Sequence, residues 1–305
     1  MIGSDDIGEL RRLPTAELVA RAAAVKRTQR GQAFSFCSII NAKSGKCSED
    51  CRYCVQSGHY RTAAPIYPLK ESEEIVAAAR AAREAGATRF SLVTSGRGLP
   101  AAEVEPVAAA VTAIRQRVGI RVCGSFGIID RATLERLKAA GMSRYHHNLE
   151  TSERFFPRMT TTHSYSDRVA TIRAAQQAGL EVCSGGIFGL GETEDDRIDM
   201  ALDLRELAVD SVPLNILIPL PGTPLAASPP LAVREIIRSI ALYRLLLPGI
   251  CIRLAGGREV ALQDFLAAAF LAGADGMMIG GYLTQKGRSV EADRKFAAEM
   301  AALWI

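Results

Sequence analysis

Ala85-Gly86-Ala87-Thr88-Arg89-Phe90-Ser91-Leu92-Val93-Thr94 holds a helix end, its stop signal and the strand that follows. The segment before it, 71–86, is rich in Ala, Glu and Arg, while 89–94 is short, apolar and β-branched. Gly86 stands where a helix C-cap takes positive φ. The same junction recurs at Ala140-Gly141-Met142, Ala178-Gly179-Leu180 and Ala272-Gly273-Ala274.

Outward from these junctions the chain alternates regularly. Strands are expected at 34–40, 89–94, 120–124, 143–147, 180–187, 211–218, 250–254 and 276–279. Helices are expected at 71–86, 101–117, 131–140, 166–178, 195–208, 231–245, 259–272 and 289–303, after a leading helix over 15–31. Alternating βα units imply a parallel sheet covered by helices. Eight units and a leading helix fit an α/β fold of the (β/α)8 TIM-barrel type better than an open sheet. No linker or low-complexity run divides the 305 residues. They read as one domain, with an N-terminal helical segment (1–32), a barrel (33–285) and a C-terminal helix (286–305). In such a barrel chemistry belongs on inward positions near strand C-termini and in the loops after them.

Composition excludes several classes. Thirty-seven basic against 33 acidic residues give a net charge of +4, too small and too mixed for a polyelectrolyte binder of nucleic acid or membrane surfaces. No apolar run approaches the roughly 18 residues of a membrane span. The opening MIGSDDIGEL has no apolar core of a signal peptide, so the expected location is the cytoplasm. Seven cysteines, at 37, 47, 51, 54, 123, 183 and 251, are an odd number in a chain without an export signal. Metal or catalytic use is then more natural than a disulfide framework.

Cys47-Ser-Glu-Asp-Cys51-Arg-Tyr-Cys54, a C-x3-C-x2-C spacing, directly follows the first expected strand. Three thiolates this close call for a soft metal or an iron–sulfur cluster. A zinc site with His59 as fourth ligand is the alternative, though structural zinc sites usually arrive as paired C-x-x-C arms. Three cysteines without a fourth suit a cubane with one iron open to a small chelating molecule.

The sequence from Ser38 through Cys47, Cys51 and Cys54 to Ser57 resembles the biotin synthase family of radical S-adenosylmethionine enzymes. So do His146-His-Asn-Leu-Glu-Thr151, Val182-Cys-Ser-Gly-Gly-Ile-Phe-Gly-Leu-Gly-Glu-Thr193, Val212-Pro-Leu-Asn215 and Ile252-Arg-Leu-Ala-Gly-Gly-Arg-Glu259. The resemblance implies sulfur insertion into dethiobiotin to form biotin, driven by 5′-deoxyadenosyl radicals. It implies a [4Fe–4S] cluster on Cys47, Cys51 and Cys54, with S-adenosylmethionine on the fourth iron. It also implies a flavodoxin- or ferredoxin-type electron donor and a homodimer.

By the same resemblance Tyr53 lies against the adenine, Glu150 holds the ribose, Asn148 touches cofactor and substrate, and Arg168 pairs with the cofactor carboxylate. Read without it, Tyr53 is an aromatic packed under the loop, Glu150 a solvated loop acid and Arg168 an exposed helix arginine. Asn148 and Glu150 share one parity at the fourth strand, so both can face the barrel mouth. Arg253, at a core position of the seventh strand, needs a partner on physical grounds alone. The family places there an auxiliary iron–sulfur cluster, the sulfur source, with this arginine, Cys123 and Cys183 among its ligands. Asn215 matches the family's substrate-binding asparagine. The chain departs from the family at Glu150, usually Asp, and at Ser91, usually a third cluster cysteine. Serine is a poor ligand for a soft cluster. Cys37, on the strand next to Ser91, is the expected replacement, giving a [2Fe–2S] or larger cluster on Cys37, Cys123, Cys183 and Arg253. Cys251 is the competitor, two residues and roughly 6.6 Å deeper than Arg253.

Overall fold

Gly86, Gly141, Gly179 and Gly273 all take positive φ (95°, 114°, 73° and 129°), so the expected helix stops are present. The computed structural model describes residues 4–284 and 287–303. The expected barrel boundary at residues 285 and 286 lies outside the described residues.

Two helices, α1 (Ser4–Arg12) and α2 (Thr15–Gln29), lead into β1 (Ser35–Lys43). Then follow α3 (Ser72–Glu84), β2 (Arg89–Thr94), α4 (Ala101–Arg117), β3 (Arg121–Ser125), α5 (Arg131–Ala140) and β4 (Met142–His146). Next come α6 (Tyr165–Gln177), β5 (Glu181–Cys183), β6 (Gly186–Phe188), α7 (Glu194–Glu206), β7 (Ser211–Ile216) and α8 (Val233–Leu246). The chain continues through β8 (Cys251–Leu254), α9 (Arg258–Leu262), α10 (Leu266–Leu271), β9 (Gly276–Met278) and α11 (Val290–Ala302). All strands pair in parallel in the order β5-β4-β3-β2-β1-β9-β8-β7-β6, and β5 also meets β7. That pairing closes the sheet into the expected (β/α)8 barrel.

Three expectations need correction. The single strand over 180–187 is two, β5 and β6, interrupted at Ser184-Gly185. There the chain after β4 folds inward: Leu149 and Glu150 donate their N–H groups to Gly185 O, and Ile187 N–H donates to Glu150 O. A Cβ at Gly185 or Gly186 would run into the carbonyls of Pro213 or Glu150, so only glycine permits this approach. The helix expected over 259–272 is also two, because Gln263 adopts a left-handed φ of 44°. Finally, α1 was not expected, the first helix having been placed at residue 15.

Alternation along the strands sorts the barrel's two faces. Phe90, Leu92, Val122, Tyr145, Val182, Leu214 and Ile252 are buried in the apolar layer shared with the helices. The intervening positions face the interior, and they are unusually polar: Arg89, Ser91, Cys123, Arg144, His146, Cys183, Asn215 and Arg253.

Asp275 fastens the end of the barrel opposite the site. It accepts Ile252 N–H at 2.8 Å on one oxygen and faces Arg30 and Arg244 with the other, the Arg244 contact being 3.4 Å. Arg244 also donates to the carbonyls of Gly273, Leu247, Pro248 and Ile250. Asp275→Ala should strand Arg244 in the interior and lower the unfolding free energy by about 3–5 kcal/mol. A urea titration by circular dichroism checks this, and an unchanged midpoint would show that the carbonyls alone hold Arg244.

Candidate active site

The C-x3-C-x2-C loop closes on itself at the barrel mouth. Cys47 N–H donates to Gln56 O (3.0 Å), Gly58 N–H to Cys47 O (2.7 Å) and Cys54 N–H to Cys51 O (3.0 Å). The two acids inside the motif anchor the loop. Asp50 accepts the Thr160 hydroxyl at 2.7 Å and Thr161 N–H at 2.9 Å. Burial works against its charge, but the Thr161, Thr160 and Thr162 bonds hold its carboxyl well below the usual range. Glu49 accepts Thr162 Oγ1 at 2.8 Å and meets His163 Nδ1 at 2.5 Å, with Arg97 at 3.5 Å. Sequence reasoning missed this clamp. Its signal was the Thr160-Thr-Thr-His163 run, a set of hydrogen-bonding side chains directly before α6.

All three loop cysteines line one cavity of about 460 Å³ that runs into the barrel. The Cys54 thiol is pushed up to about 12 by burial, with Cys51 and Cys47 nearby adding to the shift. Burial likewise raises Cys51, opposed by the Arg168 guanidinium and the Tyr53 hydroxyl. Tyr53 lines the cavity and also packs on Phe155, Met159, Leu190 and Leu225, so the packing role accompanies exposure to the site. His59 is exposed, sits 2.9 Å from Ser48 O and does not line the cavity, which removes it from the thiols' shared face.

Asn148 and Glu150 lie beyond the end of β4 rather than on it, yet both face the cavity as parity required. Asn148 Nδ2 donates to Glu150 Oε2 at 3.2 Å, and Asn148 Oδ1 accepts Gly185 N–H at 3.2 Å. Glu150 has φ 74°, a left-handed conformation that Asp enters more readily than Glu. Arg168 is not an exposed helix arginine. It is buried, stacks 5.4 Å from the Phe156 ring centre, donates from Nη1 to Asn148 O at 2.9 Å and lies 3.7 Å from Glu150. Its Nε is buried without a partner. An unpaired guanidinium N–H beside the cavity suits an anionic ligand.

Deeper in, Cys37, Cys123, Cys183 and Arg253 line the same cavity. Burial raises the Cys123 thiol to about 11 and raises Cys37 too, with Arg89 and Arg253 respectively opposing. Arg253 donates to Ser35 O and Ser35 Oγ, both at 3.0 Å, and to Cys251 Sγ at 3.6 Å. Cys251, 3.8 Å from Ser35 Oγ, does not line the cavity. Ser91, directly beside Cys123 in register, has a buried hydroxyl with no partner. Asn215 donates to Gly186 O at 3.2 Å and accepts Gly256 N–H at 3.0 Å, so its expected polar partners are backbone groups. Arg89 and Arg144, both bonded to Glu181 (2.6 and 2.8 Å), were missed. They carried the same signal as Arg253, an arginine at inward parity within a strand. His146 also lines the cavity, and burial pushes its imidazole down to about 4.

The donor set fits iron–sulfur clusters. Thiols are soft ligands, and the cationic groups beside them offset the negative charge a cluster carries. Among the described residues no three His, Cys, Asp or Glu side chains converge as they would on a single ion.

Residues 42–204 match the family described as Radical SAM superfamily, and residues 213–301 match the Biotin and Thiamin Synthesis associated domain. The biotin synthase of Heliobacterium modesticaldum is 57% identical over 257 residues, covering 84% of this chain and 79% of that one. The biotin synthase of Pelotomaculum thermopropionicum is 51% identical over 284 residues, 93% of this chain and 88% of that one. Among solved structures, methylornithine synthase superposes with a TM-score of 0.84 at 20% identity, over 98% of this chain and 93% of that one. A hydrogenase maturase from Carboxydothermus hydrogenoformans gives 0.80 at 21%, over 93% and 70%. These two share the fold alone, whereas the sequence relatives cover nearly the whole chain at high identity. On that ground the chain belongs to the biotin synthase family of radical S-adenosylmethionine enzymes.

Proposed function

We propose that this chain converts dethiobiotin to biotin by radical sulfur insertion, using two sets of groups in one cavity. The observation that carries the reading is that shared cavity: the loop thiols line its mouth and the strand thiols its interior. Cys47, Cys51 and Cys54 would hold a [4Fe–4S] cluster. When bound with S-adenosylmethionine, that cluster supplies the electron for reductive C–S cleavage and hence a carbon radical able to take hydrogen from an unactivated carbon.

The protein's own groups bind, aim and exclude water. Arg168, with its free Nε, would pair with the carboxylate of S-adenosylmethionine, and Glu150 would hold the ribose hydroxyls. Tyr53 offers a ring face to the adenine. Asn148, its amide fixed by both Glu150 and Gly185, would touch cofactor and substrate. Asn215 is held by Gly186 and Gly256, which leaves one amide N–H for dethiobiotin. Cys37, Cys123, Cys183 and Arg253 would hold the auxiliary cluster, either [2Fe–2S] or larger. Cys37 is favoured over Cys251 because it faces the cavity and has Cys183 as an electrostatic neighbour.

The reading extends to a cytoplasmic homodimer supplied with electrons by a flavodoxin- or ferredoxin-type protein. Each chain is taken as one domain with a helical segment before the barrel and one after it. Among the described residues no helix is long and apolar enough to cross a membrane.

Two measurements test the site. Cys51→Ala should abolish reductive cleavage of S-adenosylmethionine and 5′-deoxyadenosine formation, with lower iron content, because a cubane left with two protein ligands is labile. Cleavage at the parent rate with full iron would refute the radical-cluster assignment. Cys37→Ala should lose auxiliary iron and biotin formation while Cys251→Ser keeps both. Iron and sulfide analysis of the two proteins decides it, and the reverse result assigns the ligand to Cys251.

A further inference from the structure

We propose that His146 binds the cyclic urea of dethiobiotin, holding the substrate between the cofactor groups and the sulfur-source groups. The proposal rests on the biotin synthase reading and assigns a substrate contact to a residue outside the sites named for it.

His146 is the last residue of β4, and it stands directly beside Cys183 in the β4–β5 register. Two residues later Asn148 begins the group that includes Glu150. The ring therefore sits at the junction of the two halves of the cavity. Its electrostatic neighbours say the same: Glu150 on one side, Arg144 and Arg253 on the other.

Its nitrogens have no hydrogen-bond partner among the described residues. The two nearby amides and Arg253 are engaged: Asn148 with Gly185 and Glu150, Asn215 with Gly186 and Gly256, Arg253 with Ser35. His147, the next residue, stacks on Tyr145 instead, with ring centres 6.2 Å apart. A half-buried imidazole on the cavity wall with no protein partner is free to take a ligand's hydrogen bond. The neutral ring offers one N–H donor and one bare nitrogen acceptor.

Dethiobiotin has the matching chemistry. Its urea presents two N–H donors and one carbonyl acceptor. The carbons that receive sulfur are attached to the urea ring, so wherever those carbons lie between the two halves of the cavity, the urea lies too. A polar side chain unpaired at that junction is the group the urea would meet.

The test uses His146→Leu, which keeps the bulk without polarity, and His146→Asn, which keeps a donor and an acceptor. Proteins loaded with both clusters are mixed with S-adenosylmethionine and no reductant, and dethiobiotin binding is measured by equilibrium dialysis. His146→Leu should bind dethiobiotin roughly 10- to 100-fold more weakly, the loss of one good buried hydrogen bond. Iron, sulfide and S-adenosylmethionine affinity should stay at parent values, and His146→Asn should recover most of the affinity. Under turnover, the KM for dethiobiotin should rise more than kcat falls. Unchanged dethiobiotin affinity in His146→Leu overturns the proposal, as does loss of iron and sulfide, which would make His146 a cluster ligand. Equal weakening of both small molecules in both variants overturns it as a structural effect. Failure of the parent protein to bind dethiobiotin at all would instead refute the function on which it rests.

Discussion

Closing a parallel sheet on itself forces every second side chain of every strand into one common interior. Most barrels fill that space with branched apolar residues in layers. Here the inward positions include three arginines, a histidine and three cysteines, and a cavity remains. The constraint therefore acts twice. It brings together groups that lie far apart in the chain, Cys37 and Arg253 for instance, and it leaves them in a place where unpaired polarity is expensive.

Much of the surrounding architecture answers that expense. Arg253 is met by Ser35, and Arg89 and Arg144 are met by Glu181. Asn215 is met by two backbone groups across β6 and the turn after β8. Along the cavity Arg168 Nε and the Ser91 hydroxyl are buried without a partner, and the His146 ring faces the same space.

The cysteine loop is held by a different device. Its thiols must be free to face the cavity, so its fixation falls to Glu49 and Asp50, which reach back to Thr160, Thr161, Thr162 and His163. Arg168 then follows a few residues later on α6, buried against Phe156. One short segment thus secures the loop and delivers the arginine that lies near Cys51.

The sequence by itself determined the barrel, because helix-stop glycines and the alternation of two residue patterns are local properties that need no tertiary contact to be read. It determined the three-cysteine loop for the same reason: the three cysteines lie within eight residues of one another. The parity of Asn148 and Glu150 and the need of Arg253 for a partner were legible too, since both follow from strand geometry. Only the tertiary structure decided what depends on contacts between distant segments. The break between β5 and β6 arises because the chain after β4 folds against Gly185 and Gly186. The Glu49–His163 clamp joins residues more than a hundred positions apart. The sequence preferred Cys37 to Cys251 only on depth along the strands, and closure of the barrel turned one toward the cavity and the other toward Ser35. The burial of Arg168, which its place near the start of a helix does not foretell, follows from Phe156 and Asn148 meeting it from elsewhere in the chain.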